Sequence, residues 1–532
     1  MESLHFEEGV QAQQQASNNN DSKRGGWATF PFIIGCHVSL ALVAGGWASN
    51  LLVYLITEYN IKSITATKIL NIAFGCSALF PIAAAIISDS FSGSLPVVSI
   101  FAFVSLLVTI IYMTLLLASL GVGGTRFTIA TMGAEQFDKA NDQGIFFNWY
   151  FLTLYIANAI SFSAIVYIQD NVSWGLGFGI CAIANVIGLA VFIMGKKFYC
   201  QVKPKGSPFT SVARVMVSAI RKRKIPRTIA NHDYNFGTTE ALKMEDDASM
   251  KSLRFLNRAA LITEDDKQLD GYYARSWRLC TMEEVEALKT VIKLIPLWSA
   301  GIFLSTSIGI SSSLITLQAL TLNRHIGPHF EFPAGSFLLF NLLATAISIF
   351  IVDRFFTPMW RNLTHRSLTP IQRIGIGHVI NILGLVGYAL IEIRRLHVVR
   401  THSHTNQPSL VVPMSAFWLV VPLAIVGIGE GFHFPGSVAL YYQEFPISLK
   451  SMSTAMVSLL LAIGFFLSSA IIDLVKRTTT WLPDDINVGR VDNVYWMLTV
   501  IGVVNFGYYI ICAKLFKYQN IEEHDGDSRS AP

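Results

Sequence analysis

LPVVSIFAFVSLLVTIIYMTLLLASLGVGGTRFTIATMG, residues 95–133, runs for 39 residues with no polar stretch to interrupt it. As one helix it would reach roughly 58 Å at about 1.5 Å per residue, nearly two hydrocarbon cores of about 30 Å. Either it is a single overlong helix and the chain has eleven spans, or a tight turn hides inside it and the chain has twelve. Eleven spans would put the N-terminus and the next long loop on opposite sides of a membrane.

Further apolar runs fall near 30–56, 68–87, 146–168, 174–195, 291–320, 332–352, 371–393, 411–442, 452–475 and 493–515. The 532 residues are 52% hydrophobic and only 14% charged, with a mean hydropathy of +0.47. Such a chain is an all-α, multi-pass membrane protein whose first partner is the lipid bilayer. Residues 1–27 are polar and hold no apolar core of the signal-peptide kind, so the first span itself directs insertion. The six cysteines are scattered, with no CxxC or metal-ligand spacing, and are expected as free thiols. A net charge of +5 gives no case for nucleic acid. No nucleophile–base pair, metal cluster or cofactor fingerprint is visible, so no enzyme, metal or cofactor is expected.

One long hydrophilic interruption, 196–289, carries 18 Lys+Arg against 12 Asp+Glu, a surplus of +6, and includes RKRK at 221–224. Lys196, Lys197, Lys203 and Lys205 directly after a span argue for a cytoplasmic loop. It divides the chain into a polar N-terminus (1–27), an N-terminal bundle (28–195), a cytoplasmic linker (196–289), a C-terminal bundle (290–516) and a polar tail (517–532). Six spans follow the linker. Two six-helix bundles joined in this way are the layout of the major facilitator fold, with a central cavity between the halves.

An ionisable residue inside a span is costly and marks a functional candidate. Arg126 follows Gly121, Gly123 and Gly124 in apolar sequence. Glu430 sits in VGIGEGFHFPG (426–436), where Gly427, Gly429, Gly431 and Pro435 loosen the helix. Together the two could form a gate across the halves, its strength set by the proton on Glu430, since Arg does not release its own. A purely structural salt bridge is the alternative. His433 shares a helical face with Glu430, although a packed core histidine accounts for it equally. Asp89, Glu135, Asp138 and Glu444 lie at span ends. Serines and threonines at 305–316 would bond a substrate or back-bond their own helix. Trp149, Tyr150 and Trp298 line a cavity or form an interfacial belt, and the belt is the expectation. Between residues 31 and 55, His37 is the only Asp, Glu, Lys, Arg or His.

GGTRFTIATMGAEQFD (123–138), FFNWYF (146–151), EFPISLKSMSTA (444–455) and WLPDDINVGRVDNVYW (481–496) resemble signatures of the proton-dependent oligopeptide transporter family, in its plant nitrate/peptide branch. The likeness runs from Gly26 to about Tyr518 and is greatest to the nitrate excretion subgroup. It implies the major facilitator fold, alternating access and a plasma-membrane location. It places the family's fourth-helix cation at Arg126 and its tenth-helix acid at Glu430. The first-helix signature, ExxER or ExxEK, falls on His37, Leu40 and Ala41, so both glutamates and the base are replaced. The seventh-helix position at which nitrate carriers can place a histidine is Ile308. The third-to-fourth helix region is shortened, which accounts for the unbroken run at 95–133.

Losing two acids and a base moves the local formal charge from −1 to 0. A cavity that keeps Arg126 while shedding two carboxylates suits a small inorganic anion, nitrate or chloride, better than a zwitterionic peptide. With fewer titratable acids, coupling to protons weakens and efflux along the membrane potential is expected. Three alternatives stand at this point: a proton-coupled symporter of nitrate or organic solutes with Glu430 as proton carrier, a non-transporting sensor signalling through 196–289, and an inactive, shortened family member. The sequence carries no readable mark of oligomeric state.

Overall fold

The computed structural model describes residues 25–88, 94–111, 121, 123–125, 128–137, 139–200, 208–223, 248–262, 277–402, 411–445, 449 and 452–516. Among them, ten helices are long and apolar enough to cross a membrane, and a shorter apolar helix covers Ser94–Ser105.

Helix α1 (Phe30–Ala48) starts with Pro31, where a missing N–H costs no intrahelical bond. After a break at Ser49–Asn50 the chain continues as α2 (Leu51–Thr57) and reverses through Asn60 at φ 51°. Then come α3 (Ser63–Ile87), α4 (Ser94–Ile111) and α5 (Thr128–Ala134). Helix α6 (Ala140–Ile160) runs through a π-helical turn, Ser161–Ile165, into α7 (Val166–Asn171), and α8 (Trp174–Met194) follows.

Within the linker, α9 (Pro208–Arg221) and a 3-10 stretch (Ala248–Ala260) pack on the start of α10 (Met282–Thr321). Helix α10 begins ahead of the apolar run because a capping box fixes it: Glu284 N–H donates to Thr281 Oγ1, and Thr281 N–H to Glu284 Oε2. The C-terminal helices are α11 (Leu338–Ile351), which passes through a second π turn into α12 (Thr357–Thr364), then α13 (Pro370–His402), α14 (Val420–Glu444), α15 (Met452–Thr478) and α16 (Val491–Leu515). Four short strands cap one end. β1 (Leu322–Asn323) pairs in parallel with β4 (Val412–Ser415), and β2 (His325–Ile326) antiparallel with β3 (Phe330–Glu331).

The 95–133 run is two elements side by side. Gly121 lies against the backbone of Ser105, so that a Cβ there would fall 2.7 Å from Ser105 Cα, and Gly124 lies against the ring of Phe101. Pairing that runs 121 with 105 and 124 with 101 is antiparallel, which one continuous helix cannot produce. The residues between, 112–120, lie outside the described ones.

N-terminal and C-terminal helices meet along α3 and α15. At the end where α1 finishes, one apolar cluster joins Leu52, Ile64 and Leu70 to Leu314, Phe337, Leu482 and Leu498. Ion pairs stitch the same end. Lys68 Nζ lies 2.6 Å from Asp473, which also takes Arg477 at 2.7 Å; Asp484 takes Lys476 at 2.6 Å and Lys62 at 3.1 Å. On the other side of the seam the ring of Tyr167 stacks on Phe330 of β3 at 5.5 Å. Each exposed ion pair is weak alone, and the cluster acts as a network.

Removing both acids, Asp473→Asn with Asp484→Asn, is therefore expected to open this end more often. A cysteine placed at Leu52, which is 1% exposed, should then react roughly fivefold faster with an impermeant maleimide. An unchanged rate would show that the apolar cluster alone holds the end shut. Hydrogen bonds from Lys476 and Lys62 hold the Asp484 carboxyl below the usual range. Its ion pairs therefore persist above about pH 4 and are lost only as the pH falls through that lowered value. The ratio of the rate in the double variant to that in the otherwise wild-type background should be flat between about pH 5 and 8, because the thiolate fraction cancels.

Candidate functional site

Between the two sets of helices lies a cavity of about 320 Å³, lined by α1, α3, α6 and the 121–129 region on one side and by α11 and α15 on the other. Its wall on α1 includes His37, Leu40 and Ala41, the positions of the replaced signature, together with Ala44 and Ala48. These recur at three- and four-residue intervals, which puts them on one face. Toward the sealed end the cavity is closed by Phe74 and Phe465, whose rings meet edge to face at 5.4 Å across the halves.

Among the described lining residues there is no Asp, Glu, Lys or Arg. Polar side chains on the described wall are those of His37, Trp47, Ser77, Thr125 and Asn158. Thr125 spends its hydroxyl proton on Gly121 O at 3.0 Å, and Asn158 Nδ2 donates to Leu154 O at 2.9 Å. The described wall is uncharged and partly apolar, encloses room for a small solute and a few waters, and among the described residues offers no carboxylate to an ammonium group.

The residues singled out from sequence are placed as follows. His37 is buried, and its ring stacks on Tyr150 at 3.8 Å. Tyr150 is itself buried at 4% exposure, so it is a packing partner of His37 and not part of an interfacial belt. Trp149 is 48% exposed, meets Phe30 edge to face and faces away from the cavity, as a belt residue does. Trp298 is buried, and its indole N–H donates to Met456 O at 2.9 Å; it belongs to the interior of the C-terminal helices, neither cavity nor belt. Arg126 lies outside the described residues, while its neighbours Thr125 and Ile129 line the cavity. Asp89 and Asp138 also lie outside them.

Glu430 does not line the cavity. Its Oε2 accepts from Asn341 Nδ2 at 3.2 Å, and its Oε1 is buried without a partner among the described residues. His433 turns away into the C-terminal helices, where its ring meets that of His378 at 4.9 Å. Ile308 borders a small separate niche with His378 and Asn505. The serines at 305–316 mostly back-bond: Ser311, Ser312 and Ser313 each donate to a carbonyl four residues earlier.

Sequence reasoning missed Ser77, Asn158 and Asn341. For Ser77 a signal existed, because Pro81 four residues on frees a backbone carbonyl inside an apolar helix. It also missed the ion pairs of Lys68 with Asp473 and of Glu392 with Arg395, although charges at the ends of apolar runs marked all four.

Residues 65–489 match the model of the POT family. Among curated proteins, the chain is 47% identical over 549 residues to the Arabidopsis thaliana protein NRT1/PTR FAMILY 2.7, covering 97% of each. It is 46% identical to NRT1/PTR FAMILY 2.6 of the same plant, covering 96% of each. Among solved structures it resembles an auto-inhibited POT family peptide transporter, with a TM-score of 0.71 at 17% identity over 92% of this chain and 97% of that one. The POT family transporter PepTSo follows with a TM-score of 0.69 at 16% identity, over 93% and 99%. At such identities the structures speak for the fold alone.

Proposed function

The chain belongs to the POT family of membrane transporters, and on that premise we propose that it moves a small inorganic anion, nitrate or chloride, by alternating access. Transport is efflux, weakly or not coupled to protons, across the plasma membrane, with the 196–289 linker in the cytoplasm. The observation that carries this reading is the cavity wall. Where ExxER-type carriers keep two acids and a base, His37, Leu40 and Ala41 face the chamber, and no described lining residue bears a carboxylate. Arg126, bracketed by the lining residues Thr125 and Ile129, supplies the cation. Its charge is permanent, so it attracts anions at any physiological pH.

A peptide would need an acid for its ammonium end, and none of the described lining residues supplies one. The driving force needs no proton. One elementary charge is worth about 2.3 kcal/mol per 100 mV, and an inside-negative membrane pushes anions outward. Each half in turn would release its grip at the seam: the Phe74–Phe465 contact and the ion pairs of Asp473 and Asp484 close one end while the other exchanges solute.

The test restores what is missing. Leu40→Glu places a carboxylate on the cavity wall. At about 6 Å and an effective dielectric near 20, the repulsion of a bound anion is about 3 kcal/mol, roughly 100-fold in affinity. Nitrate flux at neutral pH should fall accordingly and partly recover in acid, as the new carboxyl is neutralised. Flux indifferent to Leu40→Glu, with Leu40→Gln as the size control, would mean that the anion does not pass this wall.

One observation favours a second reading. Glu430 is a carboxyl among the helices with a single amide donor and an unpartnered oxygen. A symporter could use it as the proton carrier, and flux would then rise with an imposed pH gradient and disappear in Glu430→Gln.

A further inference from the structure

Helices α11 and α12, with the π turn between them (Val352–Phe356), run for 27 residues over 338–364. At about 1.5 Å per residue that is roughly 40 Å, against a hydrocarbon core of about 30 Å. The last turns therefore stand in the headgroup layer. Phe337, just ahead of α11, belongs to the apolar cluster of the sealed end. Ile371 and Ile374, just past α12, pack with Phe209 of α9. Helix α12 thus emerges on the linker side.

Leu343, Ile347, Ile351, Phe355, Met359 and Leu363 recur every four residues, and all six are exposed. This is the lipid-facing stripe of the span, and it continues to the last turn of α12, where Leu363 is 78% exposed. No residue of α12 is buried. Arg354 and Arg361, two turns apart, and Arg366 in the following loop are exposed as well. Among the described residues, none of these three side chains has a hydrogen bond or ion pair. Asp353 beside them is engaged by Arg373 at 3.2 Å, and residues 354–391 include no Asp or Glu. The loop that carries Arg366 has a fixed shape. His365 reverses the chain at φ 53°, and Thr364 Oγ1 donates to Trp360 O at 2.7 Å. Gln372 N–H then donates to Thr369 Oγ1 at 3.2 Å and Thr369 N–H to Gln372 Oε1 at 3.0 Å, which caps α13.

We propose that this segment binds the headgroup of an anionic phospholipid: Arg354, Arg361 and Arg366 take the phosphate, while Phe355, Met359 and Leu363 lie along the acyl chains. Two observations name the occupant. The apolar stripe is continuous with the lipid-facing surface of α11, and the polar groups beside it are guanidiniums, whose planar forks match phosphate oxygens. A second copy of the chain, docked here about a two-fold axis, would bring three more arginines to the same place, so like charges oppose it. The site is independent of the transported solute.

The test is native mass spectrometry of the full-length chain, delipidated in detergent and titrated with phosphatidylglycerol or phosphatidylcholine. Wild type should retain phosphatidylglycerol in preference to phosphatidylcholine. Each Arg→Gln change at 354, 361 or 366 should weaken that binding about fivefold, and the triple variant roughly 100-fold. The triple Arg→Lys variant, which keeps the charges, should bind far better than the triple Gln variant. Arg400→Gln, an exposed arginine at the other end of α13, should bind as wild type does. The single variants carry the same test if the triple one is not monodisperse. Undiminished phosphatidylglycerol binding in the Gln variants overturns the proposal. So does displacement of the lipid by an equal concentration of inorganic phosphate, which would mean an anion site with no use for the acyl chains. A wild-type dimer lost in the triple Gln variant would assign the face to a second copy and overturn it too.

Discussion

Arg126→Ala abolishes nitrate and chloride flux, by at least about 100-fold, while protein level and monodispersity stay at wild-type values. The expectation follows from the wall of the cavity. Its described lining carries no formal charge, so on the proposed reading an anion entering it leaves bulk water and depends on the Arg126 guanidinium for compensation. Charge-assisted hydrogen bonds to an anion are about twice as strong as neutral ones, and at an effective dielectric near 20 a contact charge pair is worth about 4 kcal/mol. Removing it leaves neutral donors that cannot replace that term. Arg126→Lys keeps the charge but loses the planar fork, so partial flux with a higher nitrate KM is expected. His37→Ala only tunes the rate, because that ring is held against Tyr150 at 3.8 Å and adds shape more than charge. Flux at wild-type level in well-folded Arg126→Ala would remove the cation from the account.

The second large effect is on stability. Glu392 and Arg395, both 0% exposed, form a bidentate pair at 2.7 Å on α13. All five N–H groups of the guanidinium have an acceptor. Besides the two bonds to Glu392, Nη1 reaches Thr321 Oγ1 at 3.2 Å and Asn487 Oδ1 at 2.6 Å, and Nη2 reaches Ile486 O at 3.1 Å. Gln318 donates to Glu392 at 2.5 Å and accepts from Tyr495 at 3.1 Å. The network ties α10, α13, the loop before α16 and α16 itself at the sealed end. A buried ion pair adds little over a well-packed apolar one, but breaking one side strands a charge at a cost of about 3–5 kcal/mol. Glu392→Ala should lower the apparent Tm of the purified protein by roughly 3–5 °C and reduce the monodisperse yield. Glu392→Gln with Arg395→Met, which removes both charges, should recover most of that loss. A single variant as stable as wild type would mean that water reaches the site.

Much of the fold was legible because a bilayer leaves few options: each long apolar run had to be a helix, and the interruption at 196–289 had to divide them. The reversal inside 95–133 was not legible from hydropathy, since the two elements are equally apolar and no polar turn separates them. Gly121 and Gly124 were its only trace, small residues where two backbones approach closely. Part of the site could be read as well. The three replaced signature positions, His37, Leu40 and Ala41, sit on the cavity wall. What failed was the sorting of aromatic residues. Trp149, Tyr150 and Trp298 read alike in sequence, yet one faces outward, one stacks on His37 and one bonds Met456 in the interior. That difference is set by rotation of neighbouring helices, which no local pattern encodes. Lys68 and Asp473 were each visible as charges at the ends of apolar runs, but their pairing was not, because the partners lie in opposite halves of the chain.

The central claim is that this member of the POT family carries anions along the membrane potential without a stoichiometric proton. The most direct measurement is nitrate efflux from proteoliposomes containing the purified chain, with voltage clamped by potassium and valinomycin, with and without a pH gradient. The account predicts flux that follows voltage and is unchanged by the pH gradient. Flux that follows the pH gradient and ignores voltage would contradict it and move the proton-carrying role to Glu430.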